Sequence, residues 1–418
     1  MKIGLLIIGN EILEGKINDA NTRQLSLFLK EKHLELKSTY TVKDDPEAIH
    51  QGLATLFDEC NVVVTSGGLG PTKDDITKES IASFLGRKIQ FAQSSLEVAE
   101  KNYLRFNRVF AGKDHGYSFL PEGFLALENS TGFAPGLFTE HQGKYLLCGP
   151  GVPREFKSLL EDHFVSRLKP HFSFSNELIE SVTVKTKRVP EEQIFGEVDP
   201  SLWDKLAVFG TVSSLPNVLG VDIGVKIKAK TKEELESNKK KILEIFNHSP
   251  IKKSIWQIGN QTLEEFVVRM ANQKKITYSF AESCTGGLCS NRITNISGSS
   301  ETFLGSIISY AESVKENLLQ VKSESLKKYG AVSTQVAKEM SKGLSQKIAA
   351  QICISITGFA GPGGGTNEVP VGTACFGVTR NGETTTHSIQ YPGDRELLKM
   401  RFSQMALFLL LEELEKTT

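Results

Sequence analysis

The hydrophobic positions of this chain follow two different patterns. Continuous apolar runs occur from Ile3 to Ile8 and again in NVVVTS (61–66), ITYSFA and ICISITG. Such runs are typical of strands that are buried on both faces of a parallel sheet. Between Val221 and Ala229, by contrast, every second residue is apolar. This period of two predicts a half-buried strand in a small antiparallel sheet.

Helical patterns fill the segments between the apolar runs. A helix is predicted from about Asn21, with Asp19 or Asn21 as its N-cap. Two residue pairs have the spacing of a capping box: Ser94 with Glu97, and Thr262 with Glu265. Alternating strands and helices predict parallel sheets with helices on both faces. The predicted fold class is therefore α/β, with two three-layer α/β domains joined by a small α+β module.

The length of 418 residues exceeds what one hydrophobic core usually supports. The character of the sequence changes near Lys169 and Pro170, and NHSPIKK has the composition of a linker. We therefore predict three domains, over residues 1–170, 171–252 and 253–418.

Composition narrows the classes of function. Lys and Arg together number 49, as do Asp and Glu, and this zero net charge argues against direct binding of nucleic acid. No two of the six cysteines are spaced as C-x-x-C, which favours reduced thiols over disulfides or zinc. The apolar run MALFLLL is too short for a membrane span of about 20 residues. We expect a cytoplasmic protein that does not enter a membrane.

In the first predicted domain, the segment SGGLGPTKDD (66–75) follows a buried strand. The amides around its glycines are suited to bind a phosphate, and its adjacent carboxylates are suited to bind a magnesium-type cation. An equally good interpretation is a tight turn with two acids at a helix N-terminus. The residues concerned, with a further acid after the first strand, are Gly67, Gly68, Gly70, Thr72, Asp74, Asp75 and Glu11.

In the third predicted domain, FAESCTGG (280–287) offers Ser283 and Cys284 as candidate nucleophiles. His387 is the only histidine of this segment, so a desolvated lysine is the better candidate for the base. Tyr310 and Lys315 follow another apolar strand. From spacing alone, however, the favoured interpretation is a half-buried core tyrosine and a solvated helix lysine.

Several long motifs of the chain resemble the CinA (competence/damage-inducible) proteins. They include GLLIIGNEILEGK, VVVTSGGLGPTKDDITKESIASFLG, AESCTGG and TGFAGPGGGTNEVPVGTACFGV. The resemblance implies a molybdopterin-binding-like N-terminal domain and a nicotinamide-nucleotide amidase C-terminal domain. It implies two activities: hydrolysis of ADP-ribose that depends on a divalent cation (Mg, Mn or Co type), and deamidation of nicotinamide mononucleotide without a cofactor.

The resemblance also implies residue roles. Ser283 would be the amidase nucleophile, with Tyr310 and Lys315 as its catalytic partners. Amides of the Thr285, Gly286 and Gly287 turn would stabilise the oxyanion. The GFAGPGGG loop would bind the nucleotide phosphate, through Gly358, Gly361, Gly363, Gly364, Thr357 and Thr366.

The sequence departs from the family pattern at two places. Val369 stands where relatives commonly have lysine, with Glu368 beside it, and Asn10 stands where Asp or Thr is frequent. A homodimer is expected from the resemblance. The rival hypotheses are a pterin- or nucleotide-binding regulatory protein without turnover, and a partner in DNA uptake.

Overall fold

The structure is a computed structural model that describes residues 1–112, 116–172 and 178–416. Its contacts divide the chain into two compact units. The first comprises residues 1–180 and 227–238, and the second residues 181–226 and 239–418. Most of the predicted middle domain is thus grouped with the second unit, and the division into three domains stays a prediction.

A six-stranded sheet forms the centre of the first unit. Its spatial order is β2-β1-β3-β8-β7-β6, and a separate pair is formed by β4 and β5. The strands are β1 (Ile3–Ile8), β2 (Leu36–Val42), β3 (Val62–Ser66), β4 (Ile89–Phe91), β5 (Phe119–Pro121), β6 (Leu125–Leu127), β7 (Gly136–His141) and β8 (Lys144–Gly149). Strands β2, β1, β3 and β8 are parallel to one another. Strand β7 pairs antiparallel with β8, and β6 pairs antiparallel with β7. The sheet is therefore mixed rather than wholly parallel.

Helices cover both faces of this sheet. Ile3, Leu5 and Ile7 pack on one face, and Leu6 and Ile8 pack on the other. This split follows from the alternation of side chains along a strand. The helices are α1 (Asn10–Leu13), α2 (Asn21–Glu31), α3 (Pro46–Glu59), α4 (Thr77–Phe84), α5 (Gln93–Arg105), α6 (Pro153–Leu159) and α7 (Val165–Leu168), with a π-helical turn (Leu160–Phe164) between the last two. The predicted three-layer arrangement is confirmed here.

A smaller sheet has the order β10-β11-β9-β12. Its strands are β9 (Leu178–Thr186), β10 (Gly210–Asn217), β11 (Gly220–Ala229) and β12 (Ile255–Ile258), and the helices of this region are α8 (Glu191–Gln193), α9 (Leu202–Ala207) and α10 (Lys232–His248). Val221, Ile223, Val225 and Ile227 are all buried, as their period of two predicted. Strands β9 and β12 pair antiparallel.

A five-stranded sheet forms the centre of the second unit, in the order β14-β13-β15-β16-β17. Its strands are β13 (Tyr278–Glu282), β14 (Phe303–Ile308), β15 (Ile352–Gly358), β16 (Thr373–Arg380) and β17 (Glu383–Gln390). Strands β14, β13 and β15 are parallel to one another. Strand β16 pairs antiparallel with β15, and β17 pairs antiparallel with β16. The helices are α11 (Leu263–Lys274), α12 (Leu288–Thr294), α13 (Glu312–Leu319), α14 (Ser323–Tyr329), α15 (Thr334–Lys347) and α16 (Arg395–Glu415). They form cores on both faces of the sheet.

The predicted helix starts have mixed outcomes. Thr262 and Glu265 form the predicted capping box of α11. Of the two predicted caps of α2, Asp19 accepts hydrogen bonds from the amides of Asn21 and Thr22, although Ala20 occupies the N-cap position, and Asn21 is the first residue of the helix. The capping box of Ser94 and Glu97 is wrong, because α5 starts at Gln93 and Ser94 lies inside the helix.

Among the described residues, no helix combines the length and the apolar character needed to cross a membrane.

Candidate active sites

The carboxyl ends of three parallel strands meet at one edge of the five-stranded sheet. Ser283 follows β13, Ser309 and Tyr310 follow β14, and Phe359 follows β15. Ser283, Tyr310 and Phe359 line a cavity of about 240 Å³. The carboxyl edge of parallel strands is the usual position of a ligand site in an open α/β sheet.

Ser283 and Lys315 are in direct contact in this cavity. Lys315 Nζ lies 3.0 Å from Ser283 Oγ, 2.6 Å from the Ser309 carbonyl oxygen and 3.2 Å from that of Tyr310. Ser283 is 7% exposed and Lys315 only 1% exposed. The interpretation of Lys315 as a solvated helix residue is therefore wrong.

The hydrogen bonds of Lys315 orient its amine relative to the Ser283 hydroxyl. Carbonyl oxygens only accept hydrogen bonds, so two N–H groups of Lys315 point to Ser309 and Tyr310. In the neutral amine the remaining position is a lone pair, which then faces Ser283 Oγ. Burial lowers the pKa of Lys315 from its ordinary 10.5, and the charge of Glu312 opposes this only in part. The arrangement suits a lysine that acts as a general base towards a serine.

Cys284 also lines the cavity, but its thiol is not activated. Burial raises the pKa of Cys284 to about 12, so the thiol stays protonated at neutral pH. Of the two candidate nucleophiles, the geometry therefore favours Ser283.

Tyr310 reaches the cavity differently from what the resemblance implied. Its side chain is 63% exposed, so it is not a half-buried core residue either. Its hydroxyl accepts a hydrogen bond from Arg395 Nη2 at 3.2 Å, and only its carbonyl oxygen contacts Lys315. A direct relay through the Tyr310 hydroxyl is not present among the described contacts.

Arg395 is a cavity residue that the sequence analysis missed. It is the first residue of α16, and its Nη1 donates a hydrogen bond to the carbonyl of Gly361 at 2.6 Å. No local motif marks this arginine, which stands 85 residues from Tyr310 in the chain.

The FAESCTGG turn is organised by Glu282, whose carboxylate is buried. It accepts hydrogen bonds from the amides of Gly287, Cys289 and Ser290, at the start of α12. Gly287 has φ +96°, a conformation that favours glycine. An anion at a helix N-terminus is favourable because the free amides and the helix dipole are positive there.

This network corrects the predicted oxyanion site. The amide of Gly287 is bound to Glu282 and that of Gly286 to the carbonyl of Ser283. The amides of Cys284 and Thr285 have no oxygen acceptor in the part of the chain that the structure describes. Of the predicted turn, only the Thr285 amide has no oxygen acceptor among the described residues, and the amide of Cys284 shares this property; both lie against the Cys284 sulfur.

The second glycine-rich loop contributes to the cavity only in part. Gly358, Gly361 and Gly363 line the cavity, whereas Gly364 and Thr366 do not. The Thr366 hydroxyl accepts a hydrogen bond from the amide of Val369 and so stabilises a turn. Thr357 lines the cavity, but its hydroxyl donates to the carbonyl of Ala331 at 2.8 Å. The O–H of Thr357 is therefore already engaged as a donor, whereas Thr366 lies outside the lining of the cavity.

Val369 lies outside the lining of the cavity. Its side chain packs against an apolar cluster of Val332, Ala337 and Cys375. Glu368 beside it is exposed.

A second cavity, of about 550 Å³, lies in the first unit at the carboxyl ends of β1, β2, β3 and β8. Gly67, Gly68 and Gly70 line it, as do Glu11 and Asp74. A Cβ atom on Gly67 would lie 2.1 Å from the carbonyl oxygen of Ile8, so only glycine fits there. In the described part of the chain, the amides of Gly68 and Gly70 have no acceptor, which suits an anionic ligand.

Two of the predicted residues of this loop, Thr72 and Asp75, bind each other. Asp75 Oδ2 accepts hydrogen bonds from both the amide and the hydroxyl of Thr72. Thr72 does not line the cavity, and its contact with a phosphate stays a prediction. Asp75 lines the cavity, but one of its oxygens closes the loop.

Asp44, which the sequence analysis missed, joins Glu11 and Asp74 at this cavity. Burial raises the pKa of Asp44, the Asn10 amide lowers it, and the nearby charges of Glu11 and Asp74 raise it further. Glu11 and Asp74 are thus both close enough to Asp44 for their charges to act on it. Within residues 1–112, 116–172 and 178–416, however, no three Asp, Glu, His or Cys side chains are arranged to hold a metal ion by themselves.

Comparisons with known proteins match both units. Residues 4–170 match the family of probable molybdopterin binding domains, and residues 260–414 match the CinA C-terminal domain. A CinA-like protein of Pseudothermotoga lettingae is 34% identical over 408 residues, which are 98% of this chain and 97% of that protein. A CinA-like protein of Chloroherpeton thalassium is 33% identical over 420 residues and 98% of both chains.

Among solved structures, a competence-damaged protein (CinA) superfamily protein of Klebsiella pneumoniae is 30% identical. The match covers 37% of this chain and 96% of that one, with a TM-score of 0.36. The two CinA-like proteins that are 33–34% identical over nearly the whole chain show the family. The chain belongs to the CinA family, with a molybdopterin-binding-like domain in its N-terminal part and a CinA C-terminal domain in its C-terminal part.

Proposed function

We propose that the C-terminal domain is an amidase that converts nicotinamide mononucleotide to nicotinate mononucleotide and ammonia. The observation that carries this proposal is the contact of 3.0 Å between Ser283 Oγ and the buried amine of Lys315. A serine paired with a desolvated lysine is a known arrangement for nucleophilic attack on a carbonyl.

In the proposed mechanism, Lys315 takes the proton of the Ser283 hydroxyl while Oγ attacks the amide carbonyl carbon. The amides of Cys284 and Thr285 stabilise the negative oxygen that forms. Lys315 then gives the proton to the departing nitrogen, which leaves as ammonia. Water, deprotonated by the same lysine, hydrolyses the ester on Ser283 and releases the nicotinate product.

The size and charge of the cavity support a nucleotide that is only partly enclosed. A volume of about 240 Å³ is below the usual range for sites that enclose a whole ligand. The reacting ring would lie inside, next to Ser283, and the phosphate would lie at the mouth. Arg395, Gly361 and Gly363 line this cavity. The arginine supplies positive charge, and the two glycine amides, which have no acceptor among the described residues, supply donors.

The test is ammonia release from nicotinamide mononucleotide by the full chain and by two variants. Ser283→Ala should abolish turnover, and Cys284→Ala should keep it, because Lys315 is hydrogen-bonded to the Ser283 hydroxyl and burial keeps the Cys284 thiol protonated. Loss in the cysteine variant alone would reject the assignment of the nucleophile. No turnover in the unchanged protein would favour the rival hypothesis of a nucleotide-binding protein without catalysis.

We further propose that the N-terminal cavity hydrolyses the pyrophosphate of ADP-ribose with a divalent cation. The observation that favours this is the convergence of Glu11, Asp44 and Asp74 beside the free amides of the glycine loop. Mg²⁺ is often held by one or two carboxylates together with substrate phosphates, and these oxygens fit such a site. The cation would neutralise charge on the phosphates, while the loop amides orient them.

This second activity is tested by release of AMP from ADP-ribose with Mg²⁺, Mn²⁺ or Co²⁺, and with EDTA. Asp44→Asn should lower the activity, since it removes one of the carboxylate charges at the cavity. Unchanged turnover in EDTA, or in Asp44→Asn, would reject this proposal without touching the amidase.

A further inference from the structure

The N-terminal cavity has a second polar feature besides its three carboxylates and its glycine loop. Tyr117 and Phe133 line it together with Glu155, from the first turn of α6. Two aromatic rings and one carboxylate thus face the same space. A planar ring that carries an N–H donor is the kind of group that such a set binds.

The Glu155 carboxylate is held in one orientation. Its Oε2 accepts a hydrogen bond from Asn129 Nδ2 at 2.7 Å. Its Oε1 accepts no hydrogen bond from any residue that the structure describes. A Cβ atom on Gly132 would lie 2.0 Å from the Glu155 carboxyl, so the main chain there packs closely against it. One oxygen is therefore fixed by the protein, and the other is available to a ligand.

The side-chain amide of Asn129 cannot exchange the positions of its oxygen and nitrogen by a 180° rotation. Its Nδ2 also donates to the carbonyl of Ala134 at 3.0 Å, and its Oδ1 accepts from the amide of Thr131 at 3.2 Å. After such a rotation, Asn129 Oδ1 would face the Ala134 carbonyl and the Glu155 carboxylate, and all three groups only accept hydrogen bonds. Asn129 is fully buried, so water cannot compensate for these losses.

We propose that Glu155 Oε1 accepts a hydrogen bond from the exocyclic amino group of an adenine base that lies beside Tyr117 and Phe133. Glu155 would then be the residue that selects adenine over hypoxanthine, whose C6 carbonyl is itself an acceptor. This inference rests on the proposed function of the N-terminal cavity, because it names the base of the nucleotide that binds there. The phosphates of the same ligand would reach the amides of Gly68 and Gly70.

The fixed orientation of Asn129 makes Glu155→Gln a sharp test. The new side chain has nearly the same shape, but its carbonyl oxygen must face Asn129 Nδ2. Its NH₂ group therefore faces the cavity. The substitution converts an acceptor into a donor at one position, so it should reverse the preference between the two bases rather than weaken both alike.

The experiment measures the dissociation constants of ADP-ribose and of its hypoxanthine counterpart by calorimetry, with the full chain and without hydrolysis. The unchanged protein should bind the adenine ligand at least about tenfold more tightly, since the other base sets two acceptors against each other. Glu155→Gln should bring this ratio to one or below. The matched control is Glu161→Gln, an exposed carboxylate of the following turn, which should keep the preference.

Equal binding of the two bases by the unchanged protein would overturn the inference, and would indicate that Glu155 contacts ribose hydroxyls, which both ligands share. Binding of neither ligand would also overturn it. If Glu155→Gln fails to fold, the ratio for the unchanged protein alone still decides. Adenine preference without AMP release in the presence of cations would keep this inference and reject the proposed hydrolysis.

Discussion

Replacement of Lys315 separates the role of its amine in catalysis from its role in the fold. Lys315→Met keeps a long apolar side chain but removes the base. Loss of a positioned base lowers turnover by about 10²–10⁴-fold. We therefore expect kcat/KM for ammonia release from nicotinamide mononucleotide to fall by that factor.

The same substitution has a cost in stability that the structure allows us to estimate. The Ser309 carbonyl is fully buried and loses the donor that Lys315 provides at 2.6 Å. A buried acceptor without a partner costs about 1–3 kcal/mol. We expect the free energy of unfolding to decrease by an amount in this range, and urea denaturation measures this decrease. Lys327→Met, at an exposed position of α14, is the matched control and should change neither quantity.

The pH dependence of the unchanged enzyme tests the charge of Lys315. The lone pair exists only in the neutral amine, so activity should fall as the pH falls through the pKa of Lys315. Burial lowers this pKa below 10.5, which moves the loss of activity towards neutral pH. Lys315→Arg should be inactive at every pH, because arginine does not deprotonate. Activity within tenfold of the unchanged enzyme in the Met or Arg variant would refute the assignment of the base.

Three further substitutions test the supports of the same cavity. Glu282→Gln should lower the free energy of unfolding by about 1–3 kcal/mol in urea denaturation, and ammonia release with it, because an NH₂ group would then face the amides that Glu282 now binds. Asp394→Ala removes the N-cap of α16 and should lower the free energy of unfolding by about 1 kcal/mol. It should also raise the KM for nicotinamide mononucleotide, because Arg395 follows directly. An unchanged KM would count against a role for Arg395 in binding. Thr262→Ala removes the cap of α11 at a similar cost in thermal unfolding, and altered kinetics in this variant would show that stability alone affects the assay.

The regular elements could be predicted closely because their signals are local. The apolar run from Ile3 to Ile8 coincides with β1, and the alternating residues of β11 are buried as expected. The antiparallel strands β7 and β17 could not be predicted, since pairing direction depends on how distant segments meet. Ser94 shows the same limit on a smaller scale, because a helix that starts two residues earlier than its capping role requires places it inside the helix.

The candidate sites could be predicted in part. Ser283, Lys315 and the glycine loops carry motifs, and the structure brings Ser283 and Lys315 into contact. Asp44 and Arg395 carry no motif of their own. They come to the cavities only because the ends of parallel strands and the start of α16 lie there.

Adjacent polar residues have different contacts at both sites. At the end of β13 this follows from the extended chain, in which successive side chains point in opposite directions, whereas Asp74 and Asp75 lie in a loop well after the end of β3. Glu282 turns to the amides of α12, and Ser283 faces Lys315. In the first unit, Asp75 binds Thr72, while the charge of Asp74 acts on Asp44. Glu282 and Asp75 thus hold their loops through hydrogen bonds, and the order of residues in the sequence alone does not distinguish them from Ser283 and Asp74.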